Sequence, residues 1–255
     1  MLTAITRAVS PSLAQCELSF IARQPIDLAK AQSQHQAYEK LLADLGARVI
    51  SLPAEPELPD SMFVEDPALV LDELAVVFPL GTVSRRNEAP SIARALRPFR
   101  KLHYVQLPGM LEGGDILRLG RRLLVGLTAR SNAQGIEQLA AIVAPHGYQV
   151  TGVPTPGCLH LKSAVTALDE QTLLANRDWF DSSFLSGYDW VDVDPTEPHA
   201  SNALTLCGTV IFPDSFPRTR ARIEARGFRV KSLDISELQK AESGLTCSSL
   251  IFDGP

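Results

Sequence analysis

An α/β protein assembled from repeated units is the fold class this sequence predicts, and three observations carry the prediction. Gly147-Tyr148-Gln149-Val150, Gly187-Tyr188-Asp189-Trp190 and Gly227-Phe228-Arg229-Val230 are near-copies of one pattern spaced forty residues apart. Gly46-Ala47-Arg48-Val49 keeps the glycine and the strand, and Phe99-Arg100-Lys101-Leu102-His103-Tyr104-Val105 is a glycine-free fifth candidate. Each follows a helix-like stretch and opens a strand-like one, and self-similarity at about 20–50 residues marks a repeat architecture. Asp66, Glu112, His160, Asn202 and Cys247 each lie downstream of one copy, so a closed ring of units would bring all five together. An ordinary α/β chain without repeats accommodates the same spacings, and at this point both readings stand.

The elements follow from periodicity and punctuation. Residues 31–45 (AQSQHQAYEKLLADL) have helical spacing and stop at Gly46, a good residue just past a helix end. Residues 48–52 then read as a strand. Residues 68–78 (ALVLDELAVVF) are two apolar runs around Asp72-Glu73, a hairpin signal. A helix is predicted over 90–99, a hairpin over 115–127 turning at Gly120, and a helix over 131–143 capped by Ser131 or Asn132. Strands follow at 148–153, 163–168 and 172–175, then a hairpin over 203–212 turning at Gly208. A helix at 217–226 and strands at 228–233 and 247–252 complete the chain. No low-complexity linker divides it, so residues 1–255 read as one domain. Long loops rich in Pro, Gly and polar residues separate the units, and function concentrates on loops held by a rigid scaffold.

Composition excludes several classes. Apolar residues make up 45% and charged residues 21%, an ordinary soluble balance, and the formal charge of −5 offers no footprint for nucleic acid or anionic membrane. No apolar stretch approaches the roughly 20 residues needed to span a bilayer. The first twenty residues show neither a sustained apolar segment nor a small-residue cleavage site, so a cytoplasmic location is expected. Cys16, Cys158, Cys207 and Cys247 are too sparse for a disulfide scaffold, and most of these thiols read as small buried hydrophobes.

Cys247 sits where a turn-like stretch enters an apolar strand, a place that leaves a thiolate nucleophile accessible or, equally, a structural cysteine buried. His160 follows the loop 154–158, flanked by Leu159 and Leu161, and a cysteine with a histidine far away in sequence is the layout of cysteine-nucleophile chemistry. Glu112 and Asp115 flank Gly113-Gly114, and Glu65-Asp66 is a second acidic pair. They are either turn and surface residues or a carboxylate cluster for a cationic group, most naturally a guanidinium. Arg85 and Arg130 lie between strand and helix, where arginine either faces solvent or clamps a carboxylate. Zinc at Cys158 and His160 is a weaker option, because the two stand without clustered partners.

These residues, with their neighbours, resemble the dimethylarginine dimethylaminohydrolases of the guanidino-modifying pentein superfamily. The matching segments are Cys16-Glu17-Leu18, Pro59-Asp60-Ser61-Met62-Phe63-Val64-Glu65-Asp66, Ser84-Arg85-Arg86, Leu111-Glu112-Gly113-Gly114-Asp115, Gly126-Leu127-Thr128-Ala129-Arg130-Ser131-Asn132, Leu159-His160-Leu161-Lys162-Ser163 and Leu245-Thr246-Cys247-Ser248-Ser249. They run in the family's order from residue 16 to the C-terminus. The resemblance implies a five-bladed α/β propeller with pseudo-fivefold ββαβ-type repeats, and hydrolysis of Nω-methylated arginine to citrulline and a methylamine. It implies Cys247 as nucleophile, His160 as general acid and base, and Glu112 as the group that orients His160. Asp66 and Glu65 would hold the guanidinium, and Arg85 and Arg130 the α-carboxylate. Asp60 and the backbone carbonyls of Leu18 and Ala241 would meet the α-amine, Ala241 on its offset from Cys247. No metal or organic cofactor is implied, and the partner is a small molecule, with the chain a monomer or homodimer. Arginine itself, N-hydroxyarginine and a non-catalytic arginine-binding module remain as alternatives. The deiminases that act on arginine are longer, with an inserted helical segment this chain has no room for.

Overall fold

The computed structural model describes residues 1–254, and its strands form five separate three-stranded sheets. Four sheets share one local plan: an antiparallel hairpin, a return along the outside, and a third strand parallel to the second. Ala68–Val70, Leu74–Val77 and Lys101–Tyr104 make one, with the helix Ala89–Leu96 in the return. Ile116–Leu119, Arg122–Leu127 and Gln149–Pro154 make the next, with the helix Ala133–Val143. Val165–Ala167, Thr172–Ala175 and Asp189–Asp192 follow, and then Leu204–Leu206, Thr209–Pro213 and Arg229–Leu233 with the helix Pro217–Ala225.

The fifth sheet closes the ring from both ends of the chain. Leu250–Asp253 pairs antiparallel with Leu2–Arg7, Leu2 opposite Asp253 and Ile5 opposite Leu250, and Leu2–Arg7 runs parallel to Arg48–Leu52. The helix Leu28–Asp44 spans that return, with the Asp27 side chain accepting the Lys30 amide at its N-terminus. The Gly254 amide donates to the Met1 carbonyl at 2.8 Å, extending the ladder. The result is a five-bladed α/β propeller. The first strand of every blade faces the axis, since segments of all five line one central cavity of about 280 Å³.

Gly46, Gly147, Gly187 and Gly227 have φ of +97°, +77°, +92° and +89°, so the repeated glycine marks the left-handed exit into each third strand. The glycine-free copy works differently, as the Phe99 and Arg100 amides both bond back to the Leu96 carbonyl. The hairpin expected at Gly208 turns on Cys207-Gly208, φ +48° and +68°, the double-positive geometry of a type I′ turn. Cys207 is therefore exposed on a turn, while Cys16 and Cys158 are buried as expected.

Three expectations are corrected. The copy at Gly187 does not follow a helix: two 3₁₀ turns, Arg177–Trp179 and Ser182–Leu185, replace it. The strand expected over 163–168 is shortened to Val165–Ala167 by a one-turn helix, Leu161–Ala164, with His160 the extended residue before it. Cys247 lies in a 3₁₀ turn, Thr246–Ser248, ahead of the final strand. The apolar residues form five buried clusters, such as Leu74, Val76, Leu123, Val125, Leu139 and Val143 between the first and second of the sheets above. Among the described residues no helix is long and apolar enough to cross a membrane.

Candidate active site

The ring explains why residues so distant in sequence meet. Asp66, Glu112, His160, Asn202 and Cys247 each precede an axis-facing strand by two to five residues, at Ala68, Ile116, Val165, Leu204 and Leu250. Those strands all enter from the same end, so the five loops crowd one mouth. A cavity of about 310 Å³ opens there, with His160, Asn202 and Cys247 on its wall beside Glu65, Lys162 and Gly114.

His160 Nε2 lies 2.7 Å from Glu112 Oε2, both groups buried. Glu112 Oε1 accepts the Gly81 amide at 3.1 Å and Arg130 Nη1 at 3.4 Å, and the Glu112 amide donates to Ser131 Oγ. Asp115, fully buried, accepts Ser131 Oγ at 2.6 Å and the Leu161 amide at 2.9 Å, tying the His160 loop to the Glu112 loop. Burial alone would lower the His160 pKa, but Asp66, Asp115 and Glu112 around it hold it up at about 9. Burial would raise the Glu112 carboxyl, yet the bond to His160 and the nearby guanidinium groups bring it down to about 2. The two shifts describe one interaction, a charged imidazolium–carboxylate pair at neutral pH.

The Gly113-Gly114 pair is a steric requirement. A Cβ on Gly114 would sit 2.5 Å from His160 Nδ1 and 3.0 Å from Asp66 Oδ1, and one on Gly113 would sit 2.0 Å from the Glu65 carbonyl. Gly114→Ala is therefore expected to push the imidazole off Glu112 and lower turnover roughly 10²-fold, the scale of a 1 Å misplacement. Its thermal midpoint should fall only as far as overpacking of about 1–3 kcal/mol requires. Steady-state kinetics beside a melting curve checks both.

Cys247 is partly exposed to the cavity. Its thiol is pushed up to about 12, first by burial and then by the Glu65 and Asp66 carboxylates, so the free protein holds it as a neutral thiol. Alkylation of Cys247 by iodoacetamide, followed on its own peptide, is expected to be slow at neutral pH and still rising above pH 10. A plateau near the ordinary thiol pKa of about 8.5 would contradict this.

The other residues singled out in the sequence divide into two sets. Glu65 lines the cavity but is engaged by Lys162 Nζ, and by Thr246 Oγ1 at 2.8 Å. Asp66 is buried behind Gly114, accepting the Gly114 amide at 3.2 Å and Arg85 Nη1 at 2.9 Å. Asp60, also buried, accepts the Glu17 amide at 3.1 Å. Arg130 is buried with one long contact, to Glu112 at 3.4 Å, and one ordinary hydrogen bond, to Ser19 Oγ at 3.1 Å. Ala241 is buried and Leu18 partly so, packed in one apolar cluster. Arg85, expected to clamp the substrate carboxylate, is engaged by carboxylates of the protein itself. Its Nε and Nη2 each donate to Glu88 at 2.9 Å and its Nη1 donates to Asp66, so its guanidinium is committed to protein carboxylates.

Sequence reasoning passed over Lys162, Glu88 and the Asn202 bridge. Lys162 stood inside a quoted motif and Glu88 stands three residues after Arg85, so their neighbourhoods were visible but their partners were not. Asn202 accepts the Thr246 amide at 3.0 Å and donates to Thr246 Oγ1 and the Lys162 carbonyl, both at 3.1 Å, joining the Cys247 and His160 loops. Asp66, Glu112 and His160 offer donor atoms within 4.8 Å of one another, the spacing of a metal site. Arg85 and Arg130 already compensate those carboxylates, which makes the cluster a poor host for a further cation.

A cysteine, a carboxylate-held histidine and a carboxylate-rich floor at one mouth of an α/β propeller define a pentein-type site. Residues 56–197 match the family model described as arginine deiminase. The N(G),N(G)-dimethylarginine dimethylaminohydrolase of Pseudomonas aeruginosa is 35% identical over 228 residues, 89% of this chain and 90% of its own. That of Streptomyces coelicolor is 34% identical over 97% and 95% of the two chains. A structure of the Pseudomonas enzyme, a cysteine-to-serine mutant complexed with citrulline, matches with a TM-score of 0.92 at 33% identity, covering 99% of this chain and 100% of its own. The chain belongs to the dimethylarginine dimethylaminohydrolase family.

Proposed function

We propose that this chain hydrolyses Nω-methylated arginine to citrulline and methylamine or dimethylamine through a covalent intermediate on Cys247. The observation that carries the reading is the 2.7 Å His160–Glu112 pair on the cavity that Cys247 also lines, with Asp66 beside it.

The guanidinium carbon is a weak electrophile, because resonance spreads its charge, so the attacking sulfur must be a thiolate. A bound guanidinium supplies the positive charge that Glu65 and Asp66 attract and that brings the Cys247 thiol down from about 12. The Cys247 proton leaves to solvent, the thiolate attacks the guanidinium carbon, and the C–N bond to the methylated nitrogen breaks as His160 donates its own proton to the leaving amine. The carbon is left bonded to sulfur as a thiouronium. His160, now neutral, takes a proton from water, whose oxygen attacks the same carbon. The C–S bond breaks to release citrulline and restore Cys247.

Glu112 keeps His160 oriented and charged for the first half of this cycle. Arg130, held only loosely by Glu112 and otherwise by the Ser19 hydroxyl, is the better-placed receiver of the α-carboxylate. Arg85 acts from beneath as the counter-ion that fixes Asp66. Asp60 and the carbonyls of Leu18 and Ala241 take the α-amine. The chain works as one domain over residues 1–255, in the cytoplasm, on a free small molecule, as a monomer or homodimer.

Incubation with asymmetric dimethylarginine should release citrulline and dimethylamine in equal amounts. Arginine itself should be turned over at least about tenfold less efficiently in kcat/KM. Faster turnover of arginine would assign the chain a deiminase role instead.

A further inference from the structure

Residues 16–27 contain neither helix nor strand and cross the mouth of the cavity, where Phe20 and Ile21 form part of its wall. Phe20 is also 56% exposed, so apolar burial alone does not hold this strap down. Three consecutive amides of the strap converge on one side chain. Glu242 Oε2 accepts the Ser19 amide at 2.9 Å, and Oε1 accepts the Ile21 amide at 2.8 Å together with that of Phe20. Successive amides turned to one point form an anion-binding nest, and here the anion is supplied from the far end of the chain.

Glu242 itself is held at φ +56°, one of two non-glycine residues with positive φ among those described. The other, Cys207, is a tight-turn residue, whereas Glu242 stands in the loop leading to Cys247. A β-carbon disfavours this conformation, and strain of this kind persists where the surrounding structure enforces it. What it secures here is the aim of the carboxylate at the strap. Arg130 reaches the same strap through Ser19 Oγ, so the latch and the proposed carboxylate clamp meet on one residue.

We infer that Glu242 is a positioning residue that latches the strap 19–21 closed over Cys247 and thereby holds Leu18 and Ala241 together around the substrate's α-amine. The second half of this statement rests on the proposed function; the latch rests on the hydrogen bonds alone. Glu242 adjoins Ala241, and Leu18 adjoins the strap, so one carboxylate fixes both sides of the amine site.

Trypsin reads the latch without any activity. Arg23 is the one lysine or arginine between Arg7 and Lys30, it is exposed, and its guanidinium folds back onto the Ala14 and Cys16 carbonyls at 2.5 and 2.6 Å. Cleavage after Arg23 requires the strap to open, and its rate follows the open population when reclosing is fast. Glu242→Gly removes the carboxylate while relieving the strained φ. It is expected to be nicked about tenfold faster than the wild type, at an unchanged thermal midpoint, as a charge-assisted set of bonds is lost at a partly exposed site. Glu242→Gln, which keeps length but not charge, should fall between the two. On dimethylarginine the glycine variant should show KM raised about tenfold with kcat within roughly threefold, the mark of lost uniform binding. Equal nicking of Glu242→Gly and wild type overturns the latch. Faster nicking with unchanged KM overturns its role at the amine site. Wild-type protein that releases no citrulline from dimethylarginine sinks the proposed substrate, and the nicking comparison still decides the latch.

Discussion

Cys247→Ser is expected to lower citrulline release from dimethylarginine by on the order of 10⁴–10⁶, the scale seen when a covalent nucleophile is removed from an otherwise intact site. The serine hydroxyl ionises far above the thiol and has no base within the site strong enough to prepare it. His160, at about 9, is protonated at neutral pH and cannot serve. Raising Cys247 to about 12 is tolerable for sulfur because the substrate's own cation reverses the cause. The same help cannot bring an alcohol into range. The fold should be untouched, since serine is close to cysteine in size and can still accept the Gly244 backbone hydrogen bond that the sulfur takes, and KM should change little. Quantified citrulline and a melting curve test this together. A serine variant retaining more than about 1% of wild-type turnover would exclude the covalent route.

Glu112→Gln should cost roughly 10²–10⁴ in kcat, or about 3–5 kcal/mol of barrier, the range assigned to a positioned general acid. The amide preserves the volume and can still accept the Gly81 amide. It removes one of the three carboxylates, after Asp66 and Asp115, that offset His160 burial, and the one bonded to the imidazole. The imidazole pKa then moves down from about 9, and a smaller fraction of the ring is protonated at working pH. The sign of the pH effect is fixed by this. Wild-type activity falls as pH rises through about 9, because His160 then lacks the proton it must donate. In Glu112→Gln the falling limb shifts to lower pH. A falling limb that stays in place while kcat drops would mean Glu112 acts on geometry alone.

How much of this was readable beforehand depended on whether a feature is local. The glycine at each third strand was legible because a left-handed φ is a one-residue demand, met at Gly46, Gly147, Gly187 and Gly227. The hairpins at 68–77, 116–127 and 204–213 were legible for the same reason, each written in contiguous apolar runs around a turn. The closing sheet was not. Leu2–Arg7 finds Leu250–Asp253 across the whole chain, and no local pattern encodes that pairing. The return through 177–185 was misread because a helix was inferred from the repeat, whereas its residues cap and turn through Asn176 and Asp181 side chains.

The site divides along the same line. Cys247, His160 and the acidic loops were found because motif and order in sequence suffice to name them. The partners that set their charge were not: Glu88 against Arg85, Lys162 against Glu65, and Glu242 against the strap are matched only by the fold. Arg85 shows the consequence, since an arginine in the right motif proved to be spoken for by two carboxylates.

The covalent role of Cys247 is tested most directly by acid-quenching single turnovers of dimethylarginine in the wild type and mapping added mass by peptide. The expected result is one adduct, of the mass of the thiouronium, confined to the tryptic peptide 241–255 that carries Cys247. The same mass on a peptide carrying Cys16, Cys158 or Cys207 would contradict that role, as would turnover with no adduct at any quench time.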